Sequence, residues 1–166
     1  MRWGGCGSVF RLRVPPTAPR TSSSLWDLTV LYHFTGGSDG GGPQDDLAFD
    51  SSGNIYGTAG GGGDNGTGVI YELSRSGSGW AETVLYSAPN CDRCSPSGGV
   101  VFDNSGNLYG VFYMGGPYGY GAVYELSPSE SGWTEQTVYG FTGGSDGQWP
   151  NRGTDAKSVG QSVRHD

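Results

Sequence analysis

Positive charge is scarce in this chain. Its 166 residues include 9 lysines and arginines against 16 aspartates and glutamates, for a formal net charge of −7, and Lys157 is the single lysine. Between Trp26 and Trp149, acidic residues far outnumber the two basic ones, Arg75 and Arg93. Because binding to a phosphate backbone needs a basic face, this balance argues against a nucleic acid as the partner.

Long apolar runs and helical periodicity are lacking as well. No stretch approaches the roughly 20 apolar residues of a membrane span, and no segment repeats apolar residues at the helical spacing of 3.6. Arg11 and Arg13 interrupt the one apolar run near the N-terminus. We therefore expect almost no helix and no membrane span, and we expect that any export signal lies outside this sequence.

Glycine and aromatic residues are what the chain has in abundance. It contains 33 Gly and 9 Pro, together with 5 Trp, 10 Tyr and 6 Phe. So many glycines border on the composition of disordered chains, but so many large apolar rings need a core. The combination predicts short strands joined by glycine turns.

A motif of about 53 residues recurs along the chain. Residues 26–32 (WDLTVLY) return as residues 80–86 (WAETVLY) and as residues 133–139 (WTEQTVY), and residues 47–57 match residues 100–110. A period of this length is typical of propellers and solenoids.

Each repeat contains four strand candidates rich in β-branched and aromatic residues. In the two full repeats they cover about 46–50, 54–59, 68–73 and 80–87, then 99–103, 107–113, 121–126 and 133–141. A hairpin of about 8–12 and 27–34 precedes them. Four antiparallel strands per repeat are typical of a propeller blade, so the predicted fold class is all-β, an incomplete β-propeller. A solenoid or a stack of hairpins is the alternative.

The repeat divides the chain into four parts. Residues 1–45 are the last strands of a preceding repeat plus a linker, residues 46–98 the first blade, and residues 99–150 the second blade and the start of a third repeat. Residues 151–166 form a non-repeat tail that we expect to be disordered. Because propellers need at least about four blades, we expect each end to leave a blade face uncovered and to favour association with other chains.

Several of these segments resemble a known family. Residues 34–40 (FTGGSDG), 83–86 (TVLY), 102–110 (FDNSGNLYG) and the glycine-rich stretch before residues 123–126 (VYEL) are similar to the gloeo/verruco (GloVer) tandem repeat, over about residues 4–150. A looser resemblance links the chain to NHL and gluconolactonase-like propellers. The GloVer resemblance implies a bacterial array at the cell surface or outside the cell, and it implies no enzymatic activity.

Two pairs of aspartates lie in repeated turns. Asp39 and Asp146 occupy identical GGSDG loops, where a carboxylate among exposed carbonyls is a candidate ligand for calcium. Calcium takes roughly six to eight oxygens, so we favour a structural turn. Asp50 and Asp103 begin DxSGN turns, where the carboxylate can accept backbone hydrogen bonds and so join two strands.

The middle repeat replaces this loop with Cys91 and Cys94. A Cys-x-x-Cys pair can be a disulfide, a redox pair or half of a zinc site. A zinc site needs further ligands, and Cys6, His33 and His165 lie apart from the pair in the sequence. The pattern therefore favours a local disulfide or two free thiols, and no cofactor is expected beyond the candidate calcium.

The best candidate for binding is an aromatic cluster among glycines. Aromatic faces stack on sugars and other flat apolar surfaces, so an exposed cluster here predicts a ligand such as carbohydrate, or other repeats of the same array. The cluster consists of Phe112, Tyr113, Tyr118 and Tyr120.

The sequence offers no recognisable catalytic site. No pair of carboxylates and no nucleophile with a base is recognisable. The sequence thus predicts a non-enzymatic scaffold or binding module outside the cell, the alternative being a fragment of a propeller hydrolase or lactonase.

Overall fold

The chain folds into β-strands alone wherever the computed structural model describes it, which is residues 6–13, 26–91 and 94–150. Within these ranges no helix is long and apolar enough to cross a membrane. The strands are β1 (Ser8–Arg13), β2 (Asp27–His33), β3 (Gly41–Phe49), β4 (Ile55–Gly61), β5 (Val69–Ser76), β6 (Gly79–Ser87), β7 (Pro96–Phe102), β8 (Leu108–Phe112), β9 (Ala122–Ser129) and β10 (Gly132–Gly140).

Three antiparallel sheets follow one another along the chain. β1 and β2 form a hairpin, β3 to β6 a four-stranded meander, and β7 to β10 a second meander. We call these the hairpin, the first blade and the second blade. The predicted all-β class, an incomplete propeller of four-stranded blades, is confirmed.

The innermost strand of each blade begins earlier than the sequence predicted. β3 starts at Gly41 and β7 at Pro96, where we expected starts near residues 46 and 99. Glycine and proline are rare in strands, so a strand start at Gly41 or Pro96 is not evident from the residue types. Here Gly41 pairs with Gly61 and Pro43 with Ala59, beyond an irregularity in the register of β3. The predicted tail, 151–166, lies outside the described residues.

The turns between the two inner strands of each blade are closed by aspartate. One oxygen of Asp50 accepts the backbone amides of Ser52 at 2.8 Å and Asn54 at 2.9 Å. The other accepts the Asn54 side-chain amide at 2.9 Å and the Tyr56 hydroxyl at 3.2 Å. Asp103 makes the same contacts in the second blade. Partial burial acts to raise the pKa of Asp50, but these hydrogen bonds outweigh it and lower the pKa.

The core lies between the sheets and is divided into two clusters. The first fills the space between the hairpin and the first blade, where Phe34 meets Tyr71 edge-on at 4.9 Å between ring centroids. The second fills the space between the two blades, where Tyr56 meets Phe102 at 4.9 Å. The first blade therefore buries both of its faces against neighbouring sheets, and the second blade buries the face that meets the first, as blades in a propeller do.

A β-bulge recurs at one position in all three outer pairs of strands. The register shifts between Val9 and Phe10 in the hairpin, between Ile70 and Tyr71 in the first blade, and at the matching place in the second. The bulge leaves one apolar residue of each last strand without a paired residue. These residues are Leu31, Leu85 and Val138. A bulge re-aims the side chains around it, so the repeat includes this local bend as well as the strands.

The buried tyrosine of each blade provides a stability test. The hydroxyl groups of Tyr71 and Tyr124 are buried and have no hydrogen-bond partner among the described residues. The matching residue of the hairpin is Phe10. Because a buried hydroxyl without a partner costs free energy, we expect Tyr124→Phe to leave the melting temperature unchanged or to raise it.

Tyr109→Phe is the matched control. The Tyr109 hydroxyl donates to Glu125 at 2.9 Å and to Asp103 at 3.4 Å, so its removal should cost about 0.5–1.5 kcal/mol, a loss of roughly 2–6 °C in melting temperature. Thermal unfolding followed by circular dichroism measures both changes. A larger loss for Tyr124→Phe than for Tyr109→Phe would contradict this description of the core.

Candidate functional site

The two GGSDG loops are built around their aspartates. Asp39 accepts the backbone amide of Thr35 at 2.8 Å, the Thr35 hydroxyl at 2.6 Å and the Tyr32 hydroxyl at 3.1 Å. Asp146 accepts the same three kinds of donor, from Thr142 and Tyr139, at 2.9, 2.6 and 2.8 Å. The Thr142 hydroxyl is the largest cause that lowers the pKa of Asp146, to about 2.

These carboxylates are poorly placed to bind a cation. Both oxygens of each carboxylate already accept hydrogen bonds from neighbouring groups, and calcium would need roughly six to eight oxygen ligands. Within the described ranges no three histidine, cysteine, aspartate or glutamate side chains come together as a metal site. The hydrogen bonds explain Asp39 and Asp146 without an ion, and the calcium interpretation stays a prediction.

The middle loop uses sulfur where the other two use a carboxylate. The structure pairs Cys91 and Cys94 in a disulfide, with Cα atoms 5.5 Å apart, and leaves Cys6 as a free cysteine. Cys94 Sγ lies against Gly115 in the loop between β8 and β9. The pair therefore ties the loop between the blades at the place where hydrogen bonds tie its counterparts.

The aromatic cluster predicted from the sequence is divided by the structure. Tyr118 is 61% exposed and Tyr120 is also exposed, whereas Tyr113 is half-buried at the end of β8. The loop that bears them is closed by hydrogen bonds from Gly119 to Gly116 (3.3 Å) and from Gly121 to Gly115 (3.0 Å). Tyr118 and Tyr120 are therefore held out on a closed turn.

Phe112 does not belong to an exposed cluster, contrary to the sequence prediction. It is buried between the blades, with its ring centroid 4.5 Å from that of Tyr124 and 6.3 Å from that of Tyr86. Phe112 is the last residue of β8, and its side chain faces the first blade rather than the solvent. Proximity in sequence to the glycine-rich loop misled the interpretation.

Trp149 joins this surface and was missed by the sequence reasoning. Its side chain is 41% exposed, and its backbone amide donates to the Tyr120 carbonyl at 2.7 Å. Among the described residues other than glycine, Trp149 alone has a positive φ, of 53°. The ring of Tyr120 lies against Gly143, in the same returning segment. We call Tyr118, Tyr120 and Trp149 the aromatic platform.

The earlier repeats show that the fold does not require these rings. Their counterparts of Tyr118, Tyr120 and Trp149 are small or polar, although the loop of the first blade has the same hydrogen bonds, Gly66 to Gly63 and Gly68 to Gly62. Gly42 has a positive φ, as its counterpart Trp149 does. The backbone of Trp149 is strained, because a tryptophan rarely adopts a positive φ. Comparing the repeats position by position could have revealed Trp149. The counterparts of Tyr118, Tyr120 and Trp149 are Asn65, Thr67 and Gly42.

An acidic cleft lies on the first blade. It has a volume of about 380 Å³ and is lined by side chains that include Asp39, Asp64 and Glu82. Burial first, and then the charge of Asp39, raises the pKa of Glu82 to about 7. One carboxylate oxygen of Glu82 is buried without a hydrogen-bond partner among the described residues. The cleft holds carboxylates of different acidity, and no histidine is among the described residues that line it.

Two repeated blades packed face to face define this chain as an all-β tandem-repeat protein. The family model of the Gloeobacter/Verrucomicrobia repeat matches residues 4–162. The chain therefore belongs to this repeat family. The match extends beyond Pro150, farther than the segments on which the resemblance was recognised.

No curated protein and no solved structure was found to match the chain. The family match supports the GloVer resemblance alone, so the looser resemblance to NHL and gluconolactonase-like propellers stays a prediction.

The raised pKa of Glu82 predicts a pH-dependent stability. Its folded pKa of about 7 lies above the usual value of 4.5, so folding favours the protonated form. This contribution to stability is present below about pH 4.5 and is lost as the pH rises through 7. Glu82→Gln should raise the melting temperature by about 2 °C at pH 8, after allowance for solvent screening, and by almost nothing at pH 4.

Glu135→Gln, the same change at the matching position of the second blade, is the control. Melting curves of both variants and the unaltered chain at several pH values test whether the gain from Glu82→Gln depends on pH. A gain from Glu82→Gln that is the same at pH 4 and at pH 8 would contradict the assignment.

Proposed function

We propose that this chain is a non-enzymatic binding module outside the cell, and that its aromatic platform takes neutral carbohydrate. The observation that carries the proposal is the exposure of Tyr118, Tyr120 and Trp149 at positions where earlier repeats have Asn65, Thr67 and Gly42. Aromatic side chains are enriched at recognition surfaces, and the first blade closes the matching loop with Asn65 and Thr67 in place of the two tyrosines.

The geometry of the platform suits a flat ligand. Tyr118 and Tyr120 stand on a turn closed by hydrogen bonds, and Trp149 is fixed to Tyr120 by its backbone. Rings held in place before binding lose little conformational freedom when a ligand arrives. Pyranose rings present flat C–H faces that can stack on such side chains, while their hydroxyl groups stay in water.

The charge of the chain favours a neutral ligand. The formal net charge is −7, and the segment that returns to the platform carries Asp146, whose pKa of about 2 keeps it ionised. Sulfated or phosphorylated polymers would be repelled by this surface. Neutral polysaccharides carry no such penalty.

Two features support a location outside the cytoplasm. Disulfides persist in oxidising compartments, and the structure pairs Cys91 with Cys94. The surface is also poor in lysine and rich in glycine, serine and aspartate. Location at the cell surface or outside the cell is part of the proposal, together with the binding role.

The enzyme alternative gains little from the described residues. A propeller hydrolase or lactonase would need carboxylate and histidine side chains converging on the inner strands. The chain has two histidines, His33 and His165; His33 is on an outer strand of the hairpin, where Nδ1 lies 2.8 Å from the hydroxyl oxygen of Ser8. Among the described features, the acidic cleft is the one that supports the enzyme alternative.

Affinity electrophoresis in gels that contain soluble neutral polysaccharides tests the proposal. Glucans, xylans, mannans and chitin oligomers form the panel, and dextran sulfate is the charged comparison. We expect at least one neutral polymer to retard the chain. Tyr118→Ala and Trp149→Gly should each weaken that binding by about tenfold or more, the effect of roughly 1.4 kcal/mol.

Phe49→Ala is the matched control, because Phe49 is an exposed aromatic residue of the first blade. It should leave binding unchanged. Trp149→Gly should not lower the melting temperature, since glycine adopts a positive φ without strain. Failure of every neutral polymer to bind, or an equal loss in Phe49→Ala, would overturn the carbohydrate proposal.

A further inference from the structure

Apolar side chains are uncovered at both ends of the row of three sheets. On the hairpin, four such residues share the face that points away from the first blade, and we call this the hairpin face. On the second blade, four others share the face that points away from the first blade, and we call this the end face. The hairpin face consists of Phe10, Leu12, Leu28 and Val30. The end face consists of Val101, Tyr109, Val123 and Val138.

The residues of the hairpin face have buried counterparts in both blades. Phe10 is 56% exposed, whereas Tyr71 and Tyr124 at the same position of the repeat are 0% exposed. Leu12 is likewise exposed, and its counterparts, Leu73 and Leu126, are fully buried. In the blades this face packs against the preceding sheet, so the structure itself shows what kind of surface covers it.

The end face has buried counterparts in the first blade. Val138 is 41% exposed, whereas Leu85 at the same bulge is 9% exposed. Ile70 and Tyr56, the counterparts of Val123 and Tyr109, belong to the cluster between the blades. In the first blade this face is covered by the following sheet.

The two uncovered faces are therefore the two halves of one interface. Within the chain, the end-type face of one sheet packs on the hairpin-type face of the next, and this happens twice. The recurring bulge at Leu31, Leu85 and Val138 keeps the shape of the end-type face similar in every sheet. A hairpin face and an end face from different molecules can meet as neighbouring sheets do.

Charge also favours this pairing. The position held by Glu82 and Glu135 in the blades is held by Leu28 in the hairpin, opposite Leu12. The hairpin face therefore lacks the carboxylate that both blades place in the corresponding interface. Docking would therefore desolvate no acid at this position of the hairpin face, and Glu125 on the end face already accepts a hydrogen bond from Tyr109 at 2.9 Å.

We propose that a second copy of this chain docks head to tail, with its end face on the hairpin face of the first. The interface is heterologous, because two different surfaces meet. The pair keeps one unused hairpin face on one copy and one unused end face on the other, so the assembly can grow further or close into a ring. The interface repeats the packing between the sheets of one chain.

A mixing experiment distinguishes this arrangement from other modes of association. Phe10→Asp blocks only the hairpin face, and Val138→Asp blocks only the end face. Each variant alone should be a monomer of 17.3 kDa, whereas the unaltered chain should associate as its concentration rises. An equal mixture of the two variants should give dimers of twice that mass, because each contributes the face that the other has lost. Size-exclusion chromatography with light scattering measures the masses.

Leu12→Asp provides a second variant of the hairpin face, at a position where both blades bury a leucine, Leu73 or Leu126, in the corresponding interface. It should behave as Phe10→Asp does, alone and in the mixture. Because all three altered side chains are exposed, circular dichroism should show an unchanged fold.

Three results would overturn the proposal. The unaltered chain could remain a monomer at 100 µM, which would mean that another part of the chain covers both faces. The mixture of Phe10→Asp and Val138→Asp could remain monomeric. Either variant alone could still dimerise, which would indicate a symmetric contact elsewhere.

Discussion

Every sheet of this protein depends on a neighbour to cover its apolar faces. A four-stranded sheet of this size cannot bury both faces by itself, and the two clusters of the core lie between sheets rather than within them. The rings of Phe34 on Tyr71 and of Tyr56 on Phe102 meet edge-on across these spaces, a geometry that aromatic pairs prefer. The strands, turns and bulges all hold side chains in place for this contact between sheets.

The repeat keeps the blade interior nearly constant and varies the loops. Tyr71 and Tyr124 occupy the same buried position, as do Leu73 and Leu126. The loops that follow the three sheets are closed in different ways, by the carboxylates of Asp39 and Asp146 in two cases and by sulfur in the third. Constant packing with variable loops is the arrangement by which one scaffold can present different surfaces.

Local patterns made much of the fold predictable, and contacts between sheets account for what was missed. The turns at Asp50 and Asp103 could be predicted because the carboxylate binds amides only two and four residues away. The burial of Phe112 could not, because it depends on which way the end of β8 faces and on the rings of Tyr86 and Tyr124 from other strands. The sequence therefore revealed the aromatic loop but not which of its rings reach the solvent. A comparison of the repeats marks Trp149 as unusual, but its place beside the loop depends on the backbone hydrogen bond to Tyr120.

Nuclear Overhauser effects between blades test the packing of the sheets most directly. The Tyr56 and Phe102 ring centroids are 4.9 Å apart and belong to different blades, so their ring protons should give clear cross-peaks in an aromatic NOESY spectrum. Contacts within the first blade, such as those between Tyr56 and its strand partner Ala48, provide the internal reference. If the reference cross-peaks are present and those between Tyr56 and Phe102 are absent, the blades do not pack face to face and the account is contradicted.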